Sequence, residues 1–133
     1  MLTVTCLSKM RKDVIELGCA KYTSENSEEL LPGSEYIVYG QCLVADCLLY
    51  LIDPIREGLS RPFWYPASMF SVCNAKLSCE WHFVLYPRGN FSGDVKAVWG
   101  YEQLANSSEH FIGLMERDPK ALEIFVRYKD MLH

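Results

Sequence analysis

The chain lacks any apolar run near the roughly 20 residues that a membrane-spanning helix requires. Its longest, CLVADCLLYLI at 42–52, is interrupted by Asp46, so no membrane partner is expected. No secretory leader is expected either. MLTVTCLSKMRKD has no apolar stretch of signal-peptide length and places its basic residues after the apolar ones, the reverse of the secretory order. The expectation is a cytoplasmic chain. Basic clusters are missing as well: 13 Lys and Arg face 17 Asp and Glu, for a net charge of -4. The electrostatic term that dominates nucleic-acid affinity is therefore absent.

Signatures of catalysis are equally scarce. The sequence contains no G-x-S-x-G, no phosphate-cradling G-x-x-x-x-G-K-[ST], no H-E-x-x-H and no dinucleotide fingerprint. The nearest approach to a reactive set is Cys73, Cys79, Glu80 and His82. Cys79 and His82 are three positions apart, so in an extended strand their side chains leave opposite faces and do not pair. As zinc ligands the set offers three donors at irregular spacing, where structural sites use four in tight loops. The acidic pairs Glu28-Glu29 and Glu116/Asp118 fall in loop or helix-end contexts, where solvated charge is the ordinary role. The expectation is no enzyme, no metal and no cofactor.

What is present is a folding composition, half apolar and 13% aromatic, far from the signature of disorder. At 133 residues the chain suits one domain, since domains cluster at about 100 to 150 residues. Six cysteines would suggest disulfides in a secreted chain, but the cytoplasmic reading predicts free thiols, most of them buried. Under it the sequons at Asn90 and Asn106 are chance matches.

Period-two patterning dominates the first hundred residues. LTVTCL (2–7) reads as a strand, and EYIVYGQCLV (35–44) with CLLYLIDP (47–54) reads as a hairpin around Ala45-Asp46. KYTSENSEELLPGS is loop chemistry with a turn at Pro32-Gly33. FWYPASMFSVCN begins with a proline-bracketed edge. LSCEWHFVLYP (77–87) alternates, with Leu77, Cys79, Trp81, Phe83 and Leu85 on one side and Ser78, Glu80, His82, Val84 and Tyr86 on the other, and reads as a strand with one face in the core. VKAVWGY (95–101) is the last strand.

Helical spacing follows Gly100. Asn106 with Glu109 forms a capping-box pattern ahead of Phe111, Leu114 and Met115. Asp118-Pro119 then caps a longer helix carrying Leu122, Phe125, Val126 and Lys129. Strands first and helices last predict α+β: a small curved antiparallel sheet or SH3-like partly open barrel with C-terminal helices. The β-rich core spans 35–101 and the helical tail 102–133.

Phe63, Trp64 and Tyr65 stand in a row between Pro62 and Pro66. In a strand Phe63 and Tyr65 share one side and Trp64 takes the other, so something beyond one sheet face must cover them. The C-terminal helices can do so, as a lid on the core. Alternatively the rings are partner-binding anchors with Arg61 beside them, since Trp, Tyr and Arg are favoured at interfaces.

The order EYIVYG, RPFWYPASMF, LSCEW, WGYEQL and ALEIFVRYK resembles a family of small uncharacterised bacterial proteins that look like immunity proteins of bacterial toxin systems. The resemblance covers residues 35 to 130. It implies a non-catalytic binding protein that neutralises a cognate protein toxin by covering its active site. Acidic balance would match a basic toxin surface, with Glu25, Glu28 and Glu29 as charged contacts and Trp64, Tyr65 or Tyr101 as anchors. The alternative is a small enzyme or ligand-binding barrel with a cleft near Trp64, Tyr65 and His82.

Overall fold

The computed structural model describes residues 1–7, 30–45, 47–55, 57–86 and 95–132. Seven strands form one open antiparallel sheet: β1 Thr3–Cys6, β2 Glu35–Val44, β3 Cys47–Ile52, β4 Phe63–Pro66, β5 Phe70–Asn74, β6 His82–Leu85 and β7 Val95–Gly100. Three helices follow: α1 Glu102–Asn106, α2 Ser108–Met115 and α3 Pro119–Met131. This is the expected α+β architecture. None of the described helices is long and apolar enough to cross a membrane.

The ten-residue β2 organises the sheet. Its first three residues pair with β1, and the remainder pairs with β3 on one side and β7 on the other. The register against β3 shifts between Val38 and Gly40; such a bulge bends a strand and re-aims its side chains. It leaves Val38, Tyr39 and Gly40 buried in succession, which simple alternation forbids. The β2–β3 hairpin closes at the expected place, with Val44 opposite Cys47 and Ala45 at φ 50°.

β4 is an edge strand, pairing only with β3, which accommodates Pro66. Trp64 packs on Phe111 of α2 with ring centroids 5.3 Å apart, while Tyr65 stands opposite Tyr50 in register. Helix therefore covers one side of the aromatic block, as the lid reading required. Another close approach anchors α1. Gly40 and Gly100 are register partners across β2 and β7, and Leu104 lies so close over both that a Cβ on either would collide with its Cδ2.

Three expectations need correcting. Among the described residues of the 77–87 stretch only His82–Leu85 form a strand, and Phe83 (51% exposed) and Leu85 (67%) face outward. Facing is set by the pairing partner: Val84 lies opposite Val98, which is fully buried. The cap of α2 is Ser107, whose Oγ accepts the His110 amide, because Asn106 is still the last residue of α1. The cysteines are not all free. Cys47 is disulfide-bonded, with its partner outside the described residues. Cys6 and Cys42 are buried thiols, whereas Cys73 and Cys79 are exposed thiols. Compartment was the whole basis for expecting six thiols, and compartment does not fix which side chains meet. The Asp118 cap with Pro119 at the first turn of α3 stands as expected.

Candidate functional site

Helix α3 carries two buried arrangements on its inner side. Asp53, at the end of β3, has no side-chain exposure and meets Lys129 Nζ at 2.9 Å. Lys129 also donates to Ser60 Oγ at 2.7 Å. The other Asp53 oxygen accepts the backbone amides of Ile55 (3.2 Å) and Arg61 (2.8 Å). A buried carboxylate that accepts three hydrogen bonds is well satisfied, and with the Lys129–Ser60 contact it ties the residues after β3 to α3. Within that connection Ile55 and Glu57 adopt left-handed φ values of 42° and 54°. For β-branched Ile55 this is an uncommon and strained state.

The second arrangement is aromatic. Phe125 meets the edge of Tyr39 with centroids 5.2 Å apart. Tyr128 stacks on Tyr101 at 4.2 Å and 21°, and its hydroxyl accepts from Trp81 Nε1 at 3.1 Å. Tyr101 Oη lies 2.6 Å from His110 Nε2. Burial pushes the Tyr101 hydroxyl well up, so it stays protonated and donates to the ring. Burial also holds His110 below its ordinary range, and its Nδ1 has no partner among the described residues. Tyr39 is pushed up to about 12 by burial, with the Asp53 and Tyr128 charges adding. The raised values keep these phenols protonated in the core.

The outer side of α3 is a ridge between two open grooves. One, of about 480 Å³, is lined by Glu80, His82, Glu102, Tyr128 and Met131 among others. In it His82 Nδ1 takes the Asn106 amide at 3.3 Å. The other, of about 660 Å³, is lined by Leu59, Arg61, Arg117, Leu122 and Val126 among others. On the ridge Glu123 and Arg127 form an exposed ion pair at 3.1 Å. Arg127 borders the groove that holds Glu80 and Glu102, and Glu123 borders the one that holds the arginines.

The residues singled out in the sequence do not converge. Trp64 and Tyr65 are 1% exposed, so the anchor reading is corrected for these two: rings enclosed in the core offer a partner no surface. Tyr101 is 3% exposed and borders the first groove. The cleft expected near Trp64, Tyr65 and His82 fails for the same reason, since His82 borders an open groove while the other two lie in the core. Arg61 borders the second groove. Glu25, Glu28 and Glu29 lie outside the described residues. No group of three or more His, Cys, Asp or Glu is arranged for a metal among the described residues. Asp53, Lys129, His110 and Arg117 were not foreseen. The Asp53–Lys129 pair spans 76 positions, and a contact between such distant residues leaves no local pattern. For Arg117 a signal existed in the turn preceding Asp118-Pro119.

Comparison with known proteins gives no family model, curated relative or solved structure that matches the chain.

Proposed function

We propose that this chain is a non-catalytic binding protein of the immunity type, which neutralises a cognate bacterial toxin domain by covering its active site. The observation that carries the reading is the exposed ridge of α3 between two open grooves of opposite charge, held on a rigid inner side by the Asp53–Lys129–Ser60 contacts. A preorganised surface loses little freedom on association, and charge sorted by position favours one partner over others. The acidic groove, with Glu80 and Glu102, suits a basic toxin surface. The acidic segment at Glu25, Glu28 and Glu29 adds long-range attraction.

The direct test is to co-express the chain with the product of the neighbouring gene, then measure complex formation and any toxic activity of that product with and without this chain. A stable complex with suppressed activity is the expected result. Glu28 and Glu29 reversed to Lys should slow association most at low salt and leave melting unchanged. Full toxin activity at saturating concentrations of this chain would reject the reading.

A further inference from the structure

We infer that the groove between the 53–62 connection and α3 is a docking site for an extended acidic-apolar segment of a partner protein. This deepens the binding-protein reading and rests on it. The floor is apolar: Leu59 is 60% exposed, and Leu122, Val126 and Pro119 continue the surface along α3. An exposed leucine beside two half-buried apolar side chains is a patch that association would cover. One wall is fixed in advance. Asp53 holds the amides of Ile55 and Arg61, and Ser60 is held by Lys129, so Leu59 is presented by a connection tied down on both sides. Arg117, which lines this groove, holds a left-handed φ of 57°. Strain of this kind persists only where the surroundings over-determine it, and it concentrates at binding sites.

Charge decides the occupant. Arg117 lies over the Phe63 ring, 5.3 Å from its centroid, and no carboxylate pairs with it among the described residues. The one carboxylate of the lining, Glu123, is answered by Arg127 on the ridge. The neighbouring cation Lys129 is committed to Asp53. The groove therefore offers positive charge over an apolar floor, and carboxylates on an apolar strand complement it. Its openness argues against a small molecule, since such ligands are usually buried over most of their surface. The net charge of -4 argues against a nucleic-acid backbone, whose binding relies on many basic contacts. A protein segment remains, and an open groove beside a helix accepts one in extended form.

The probe is a capped synthetic peptide of alternating leucine and glutamate, with a lysine-for-glutamate peptide as control. Each is titrated into isotope-labelled protein and followed by amide chemical shifts. The expected result is saturable perturbation at residues 57–61, 117, 122 and 126 with the glutamate peptide. Arg117→Glu should weaken that binding by at least about tenfold, and the lysine peptide should leave those amides unmoved. Leu59→Ser, at an exposed position, removes apolar floor without adding charge; it should also weaken binding and keeps the test open should Arg117→Glu disturb the turn. The proposal is overturned by an absence of perturbation at millimolar glutamate peptide. Perturbation confined to the Glu80–Glu102 groove, equal binding of both peptides, or unchanged binding by both variants would also overturn it. A chain that still forms its toxin complex while failing these titrations would lose this docking site and keep the broader reading.

Discussion

At His110 burial holds the imidazole below its ordinary titration range, while Tyr101 on one side and the α2–α3 corner on the other enclose it. Glu109, Asp118 and Lys120 border the small cavity beside it. A depressed folded value means that the unfolded chain binds the proton more readily. Its stabilising share is present above the unfolded value near 6.5 and is lost as pH falls through it towards the folded value. Thermal unfolding from about pH 7.5 to about pH 5 should show a steeper loss in the wild type than in His110→Gln. Parallel curves would show that His110 does not titrate with folding. Gly40 supplies a second test. An added methyl meets Leu104, and overpacking of this kind costs roughly 1 to 3 kcal/mol. Gly40→Ala should lower stability by that amount in denaturant melts, and Leu104→Ala should cost less in the Gly40→Ala background than alone. Additive effects would contradict the close packing.

Among the elements, α3 links the core to the surface. Phe125 is fully buried and meets Tyr39, so Phe125→Ala should cost roughly 3 to 5 kcal/mol, the usual range for a buried Phe. A melting curve unchanged from wild type would mean that the helix contributes little to the core. The start of α3 was legible because a cap and its proline are adjacent in sequence and act locally. The facing of β6 was not, because a four-residue strand takes its inward side from Val98 across the ladder. The bulge at Tyr39 was hidden for a related reason: an extra residue on β2 is defined only against β3.

On the scale of the whole molecule, the sequence revealed the order of strands and helices and concealed the places where distant segments meet. The lid over Trp64 could be anticipated because three adjacent rings cannot all face one side of a sheet. The Asp53–Lys129 pair could not, since a lysine at helical spacing among apolar residues reads equally as solvated surface. The disulfide at Cys47 belongs to the same class. Four cysteines are thiols among the described residues, so denatured protein prepared without reductant should titrate as four thiols, and as six, the full complement, after reduction. Six before reduction would mean that the bond at Cys47 does not form in solution.

The position of β1 bears on how the chain is made. Thr3–Cys6 is interior to the sheet, with β2 on one side and β5 on the other. During synthesis this strand emerges before both neighbours, and its outer one follows more than sixty positions later, at Phe70–Asn74. A nascent chain shorter than that holds β1 with one side open, and an open strand edge is a template for pairing with other chains. Ribosome-bound fragments ending before Phe70 should therefore engage holdase chaperones, and those extending past Asn74 should release them.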